Sequence, residues 1–452
     1  MTKANYERPI INRVSAGVPD KFGMKTRIQP ISKIDGVDVK SILAQYGSPV
    51  FILSENTIRR TYQDAYRAFS TRYPRVQFAW SYKTNYLDAV CNIFHQEGSW
   101  AEVVSGFEYH KAINNGVEPQ HIIFNGPDKS EADLILAINN GSLIHIDHFD
   151  ELYLILKLSD TLTRRPKVAI RVNMDTGIYP KWDRFGFNYE NGEAWNALNR
   201  IMISGKLDLV GIHTHIGTYI SSVQAYTTAT TKMVDLILGL KRKYNFDVKY
   251  IDMGGGFPSK NTLKGAYLPG IDTTPTFEQF AEAITGVLLS SELDPQNLPL
   301  LILETGRALI DDAGYIAGSV LANKRLSDGR RAMIIDIGVN LLFASFWYDY
   351  PVVPINSVSG NVEDTTIYGP LCMNIDVIRA SVQFPALNAG EHVLISRVGA
   401  YNMTQWMQFI TLRPNIVLIG ADKQVYLLRK AETPETITSN ELVPDVYKKF
   451  NV

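Results

Sequence analysis

The 452-residue chain reads as an α/β protein: a (β/α)8, TIM-like barrel followed by a C-terminal, mostly antiparallel β domain. Short β-branched or aromatic runs alternate with stretches of helical length and period, as parallel βα units do. Eight such runs fall between residues 76 and 306, the number and span of a closed barrel. Beyond residue 312 strand-like runs continue without long helices between them. A doubly wound open sheet is the competing arrangement, but it needs a topological reversal that the order of runs does not display.

The expected barrel strands are, in order, "VQFAWSY", "WAEVVS", "HIIFNG", "SLIHID", "KVAIRVN", "LDLVGIHTH", "VKYIDMGG" and "PLLILETG". Between them "NYLDAVCNIFHQEG", "GFEYHKAINNG", "SEADLILAINNG", "FDELYLILKLSD", "AYTTATTKMVDLILGLKRKY" and "TFEQFAEAITGVLLSSEL" read as helices, several stopped by a glycine just past the end. In the later region "GYIAGSVLANKRL", "RRAMIIDIG", "VVPINSV", "TTIYGP", "EHVLISRVGAY" and "KQVYLLRK" read as strands. The expected division is an arm at 1–25, a segment at 26–46 adding a strand to the β domain, the barrel at 47–312 and the β domain at 313–452.

Composition excludes several classes of function. A formal net charge of −1 offers no dominant field for nucleic acid or an anionic membrane. Two cysteines, Cys91 and Cys372, make no disulfide framework and suit a reducing, cytoplasmic setting. The start "MTKANYERPIINR" has no apolar signal core, and no stretch reaches the roughly 20 apolar residues of a spanning helix.

The unusual residues cluster at strand ends, where a barrel builds its active site. Lys83 follows the first strand; Glu102 and Ser105 end the second; His213 and His215 end the sixth. Gly254, Gly255 and Gly256 follow the seventh, and Glu304 to Arg307 the eighth. Three consecutive glycines let backbone N–H groups turn inward as an anion nest, although alone they also fit a tight turn. Gly306 and Arg307 on the neighbouring strand strengthen the reading of a phosphate site. A phosphate site and a lysine across one mouth suit pyridoxal 5'-phosphate, whose aldehyde condenses with an amine. The pairs His213/His215 and His145/His148 invite a metal, but no carboxylate or cysteine at ligand spacing accompanies them, so none is expected.

The motifs "SYKTN", "AEVVSGFE", "HTHIGT", "GGGFP", "ETGR", "YGPLC" and "GAYNMTQ" resemble, in order, those of the fold-type III pyridoxal-phosphate decarboxylases. That family contains the diaminopimelate, ornithine and arginine decarboxylases and shares the alanine racemase-like barrel; the overall pattern here is nearest the diaminopimelate type. The resemblance implies decarboxylation of an amino acid through a Lys83 Schiff base and a quinonoid carbanion. It implies that His215 stacks on the pyridine ring and that Glu304 pairs with its nitrogen. Thr218, Gly254, Gly255, Gly256, Gly306 and Arg307 would bind the phosphate, and Glu102, Ser105 and Tyr401 would line the cofactor. Cys372 would come from a neighbouring subunit to protonate the product carbon, which implies a homodimer with shared sites.

A glutamate at the ring nitrogen favours its protonated form and hence carbanion chemistry; similar racemases place arginine there. Around the substrate the resemblance places Tyr348, Asp349, Met373 and Asp376. Ala344 stands where diaminopimelate-specific enzymes carry an arginine for the distal carboxylate, and Met373 where the family usually has an acid. Asp349 resembles the amine-binding aspartate of the ornithine type, and Arg379 or Arg413 are candidates for the missing cation. The expected substrate is therefore a diamino acid or a larger biosynthetic intermediate other than meso-diaminopimelate, with an ornithine/lysine-type decarboxylase or a racemase as alternatives.

Overall fold

The structure is a computed structural model that describes residues 28–358 and 362–448; the expected arm at 1–25 lies outside the described residues. Eight parallel strands close into a barrel: Val76–Ser81, Trp100–Val103, Ile122–Phe124, Leu143–Ile146, Lys167–Asn173, Asp208–Thr214, Tyr250–Asp252 and Leu300–Thr305. The eighth pairs with the first, which completes the ring. Every expected barrel strand is present in its expected order.

The first strand shows why. Phe78, Ala79 and Trp80 are fully buried, because a parallel strand is covered on the inside by the barrel and on the outside by helices. Local chemistry ends the helices. Glu131–Asn140 starts on Ser130, whose hydroxyl accepts from the Asp133 N–H (3.1 Å), and stops at Gly141 in the left-handed region, φ +82°. Phe277–Ser290 starts with a capping box between Thr276 and Gln279. Two helices of twelve residues or more were not singled out in the sequence. Glu55–Ser70 buries Ile58, Tyr62, Ala65 and Phe69 along one face, and Glu193–Ser204 joins the fifth and sixth strands.

A second sheet is built around the strand Gly314–Arg325. Its first half lies between Val50–Ser54 and His392–Ser396, and its second half pairs with Arg331–Ile335. Most pairings are antiparallel; Arg331–Ile335 with Val362–Tyr368, and Val50–Ser54 with Ile416–Ile419, are parallel. The strand that enters this sheet ahead of the barrel is Val50–Ser54, not a strand within 26–46. Among the described residues, that earlier segment forms a small hairpin (Lys33–Ile34 with Val37–Asp38) and the helix Val39–Tyr46. The physical reason is alternation: Val50 and Ile52 face that helix while Phe51 and Leu53 face the main core, so both sides of "VFILS" are covered. The first barrel strand begins at Val76, so the region 47–312 opens with this strand of the second sheet.

Inside the barrel, strand alternation sorts side chains into layers. An apolar floor is made by Ala79, Ile123, Leu143, Ala169, Val210, Tyr250 and Ile302. Two residues further along, the same inward faces present Ser81, Asn125, His145, Arg171, Asp252 and Glu304, with Glu102 from the second strand. His213 stands three residues past Val210, because a register irregularity after Leu209 shifts the sixth strand against the fifth. An apolar floor thus carries a wholly polar second layer. The two sheets are also tied together above the mouth, where Thr262–Leu263 pairs antiparallel with Tyr348–Asp349. Among the described residues, no helix is long and apolar enough to cross a membrane.

Candidate active site

Lys83 sits on a short turn that leaves the first strand. The turn is gripped from the second sheet: the Tyr401 N–H donates to the Thr84 carbonyl (2.9 Å), and Thr404 Oγ donates to the Lys83 carbonyl (2.9 Å). Lys83 Nζ contacts Glu102 Oε2 at 2.5 Å, and about a third of its side chain (32%) faces the open mouth. Burial opposes the ammonium, but Glu102, Tyr401 and Glu304 outweigh it and hold the amine above its ordinary value. The Asn125 amide bridges the two carboxylates, donating to Glu102 Oε1 (3.0 Å) and Glu304 Oε1 (2.5 Å).

Charge in this layer does not balance. Lys83 is paired with Glu102, Arg171 with Asp147 (3.6 Å) and Lys129 with Glu151 (2.7 Å). Among the described residues, no lysine or arginine pairs with Asp252 or Glu304; besides the Asn125 amide, Glu304 meets His213 (3.3 Å) and His145 (3.9 Å). Burial, as the largest cause, pushes both histidines well below their ordinary value, so they are neutral. Burial and then Glu304 push Asp252 well above its ordinary value, toward its neutral form. One buried carboxylate, Glu304, is left without a counter-charge, an arrangement that favours a cationic ligand.

The opposite rim is backbone. Gly254 and Gly256 adopt φ +65° and +94°, and a methyl on Gly254, Gly255 or Gly256 would collide with the carbonyl of Thr214, Glu304 or Gly217. A methyl on Gly306 would strike the Thr84 hydroxyl. The carbonyl of Gly255 is tied to Tyr226 (2.9 Å) and that of Gly256 to the Ile220 N–H (2.9 Å). Among the described residues, no chain group accepts from the N–H of Gly255 or Gly256, which suits an anion. Thr218 is exposed beside them. His215 lies on the glycine loop with Trp182 parallel to its ring (5.7 Å, 11°), and burial lowers it to about 3. Arg307 is more committed than expected. Its guanidinium donates to Asp311 (3.1 Å) and packs on the rings of Tyr348 (4.6 Å) and Tyr401 (4.9 Å). Ser105 serves as a helix cap, accepting from the Glu108 N–H (3.2 Å).

The structure corrects the expectation for Asp376 as a substrate contact. Its two oxygens accept from the N–H groups of Val339 (2.8 Å) and Leu371 (2.7 Å), so it anchors the loop that carries Cys372. Cys372 itself is exposed and Met373 half-buried on that loop, and neither is hydrogen-bonded to the Lys83 mouth. Asp349 is engaged by Arg379 (3.5 Å), while Arg413 binds Glu432 (3.6 Å) and stacks on Trp406 (5.0 Å). Ala344 is buried. Asn125, Arg171, Asp252 and Asp311 were missed in the sequence. The signal for the first three was a polar residue within or just past an otherwise apolar strand, in "IIFN", "VAIRV" and "YIDM".

One neighbour of the site titrates near neutrality. Glu108 accepts from the Val104 N–H (2.8 Å), and burial, opposed by that bond and helped by Glu102, raises it from 4.5 to about 7. Between those values the folded chain binds a proton that the unfolded chain does not, so stability falls as pH rises from about 4.5 to about 7 and is level above. Glu108→Gln should flatten that slope, worth on the order of 3 kcal/mol, in denaturant melts at pH 5 and pH 8. An equal slope in the variant would show that Glu108 is not its source.

An amine, a nest of free N–H groups and an unbalanced carboxylate at the same end of the barrel fit pyridoxal phosphate, with its aldehyde, phosphate and basic ring nitrogen. Comparisons with known proteins agree. The family described as "Pyridoxal-dependent decarboxylase, pyridoxal binding domain" matches residues 56–311. The chain is 29% identical over 428 residues to a diaminopimelate decarboxylase of Methanocaldococcus jannaschii, covering 91% of this chain and 95% of that one. It is 26% identical over 419 residues to the Aquifex aeolicus enzyme of the same name, covering 90% and 95%. The crystal structure of a diaminopimelate decarboxylase from M. jannaschii superposes with a TM-score of 0.84 at 27% identity, covering 93% of this chain and 98% of that one. This chain belongs to the pyridoxal-phosphate-dependent decarboxylases.

Proposed function

We propose that the chain decarboxylates a diamino acid, with Lys83 as the residue that carries the cofactor as a Schiff base. The observation that carries this is the uncompensated Glu304 carboxylate across the mouth from the Lys83 amine. Pyridoxal phosphate supplies an electron sink for the carbon that loses CO₂. Glu304 favours a proton on the ring nitrogen, because the paired charges stabilise each other where water is excluded. The N–H groups of Gly255 and Gly256, with Thr218 and Gly306, hold the phosphate. His215, kept neutral, packs on the ring without adding charge. Glu102 would pair with Lys83 whenever its amine is free and protonated, as the two are paired here.

At the distal end, Asp349 and Arg379 offer a carboxylate and a guanidinium side by side. They suit a charged distal group, and Ala344 offers none. The reading is a substrate related to, but shifted from, meso-diaminopimelate. CO₂ release from a panel of meso-diaminopimelate, lysine, ornithine and larger diamino acids tests it. The expected result is highest kcat/KM for a compound other than meso-diaminopimelate; equal or better turnover of meso-diaminopimelate would overturn the shift while leaving decarboxylation intact.

Cys372 belongs, in this reading, to the site of a second copy in a cytoplasmic homodimer. Its exposure supports that, as does the exposed apolar surface of Ile375 on the same loop. Co-expressed Lys83→Ala and Cys372→Ala chains should regain activity that neither has alone, since mixed dimers contain one intact site. Continued inactivity of the mixture would place Cys372 outside the shared site.

A further inference from the structure

The geometry points to a second ligand for the barrel: without its cofactor, the chain binds one divalent transition-metal ion at His145, His213, Asp252 and Glu304, and this ion and pyridoxal phosphate exclude one another. Each of these four residues offers a ligand atom, and those atoms lie within 4.8 Å of one another, fully buried. The sequence argued against a metal, because neither histidine pair has an acid or cysteine at ligand spacing. The barrel supplies both acids from its seventh and eighth strands.

Two further observations favour an ion here. First, the lone pairs are unclaimed: His145 Nδ1, both ring nitrogens of His213 and Asp252 Oδ2 are buried without a hydrogen-bond partner. Second, three of the four have an outer partner that orients them, as metal ligands do. His145 Nε2 meets the Tyr250 hydroxyl (2.9 Å), Asp252 Oδ1 accepts from the Gly254 N–H (2.8 Å), and Glu304 Oε1 accepts from Asn125 (2.5 Å).

Two imidazoles and two carboxylates suit a borderline dication such as zinc or cobalt(II). Bonds of about 2.0–2.2 Å set tetrahedral ligands about 3.4 Å apart, so the widest pair must close by about 1.4 Å. The nearby cations do not bar the ion, since Lys83, Arg171 and Lys129 each have a carboxylate of their own. Exclusion follows from Glu304. Glu304 would either ligate the dication or pair with a protonated ring nitrogen, but it cannot do both. That exclusion rests on the proposed pairing of Glu304 with the cofactor ring; binding of the ion does not.

The test uses the full chain stripped of cofactor and titrated with cobalt(II), read by its visible d–d absorption and by metal content. One ion per chain is expected. The double variant His145→Asn/His213→Asn should bind it at least about 100-fold more weakly, since even an outer partner is worth about 10–100-fold. The same variant should still take up pyridoxal phosphate, which shows that it is folded. With metal at 100 times its own Kd, the apparent Kd for pyridoxal phosphate should rise about 100-fold in the parent chain by mass action. No cobalt in the stripped chain, or equal binding by the double variant, would overturn the site. Equal binding by the cofactor-loaded chain would overturn the exclusion. Failure of the parent chain to take up pyridoxal phosphate would count against the proposed function, and the cobalt titration alone then decides the metal site.

Discussion

Lys83→Ala should abolish the visible absorption band of the bound cofactor and reduce CO₂ release by at least about 10³-fold, the scale of losing a group that works in the transition state. The expectation rests on placement. Lys83 leaves the end of the first strand, a third of its side chain faces the mouth, and Glu102 receives its amine at 2.5 Å. An alanine keeps the backbone that Tyr401 and Thr404 hold, so the fold and the glycine nest should survive. Phosphate-driven binding of the cofactor should then persist without the band, and equilibrium dialysis separates the two effects. A variant that retained the band would remove Lys83 from the chemistry.

Glu304→Gln should lower kcat by about 10²–10³-fold with little change in KM, the scale of removing one preorganised charge from a dry site. Glutamine preserves the shape and the contact with Asn125 but deletes a buried carboxylate that has no lysine or arginine partner among the described residues. Two readouts distinguish this from disruption of the cavity. Cofactor affinity should fall far less than kcat, because in the proposed reading the phosphate end is held by the backbone of Gly255 and Gly256. Asp252 should also return toward its ordinary range, since its second-largest perturbation is Glu304. A kcat within a few-fold of the parent would show that the ring nitrogen does not depend on Glu304.

Both experiments probe residues that were visible in the sequence, and the reason is local. Lys83, the three glycines and "ETGR" stand where apolar runs end, and the end of a strand can be read from a window of a few residues. The second sheet was less legible. Val377–Pro385 and Ile416–Ile419 were not singled out as strands, and the strand Val50–Ser54 was placed too early. Pairing partners decide such strands: Val50–Ser54 lies beside Gly314–Arg325 and Ile416–Ile419, more than 250 residues away. Asp376 was misjudged for a related reason. Its position near Cys372 is sequential, whereas its role is set by a contact with Val339.

Periodicity along the chain determined the alternation of strands and helices, the number of barrel strands and the positions of the glycine bend and the lysine. Those features follow from rules that act over a few neighbouring residues. Only the tertiary structure decided which side chains share the layer above the apolar floor. Each strand contributes one or two inward residues there, and the register between strands brings together Asn125, His145, Arg171, His213, Asp252 and Glu304. Whether a buried carboxylate is paired depends on charges brought in from other strands, so no stretch of sequence contains the imbalance at Glu304. The ring has to close before that charge has neighbours.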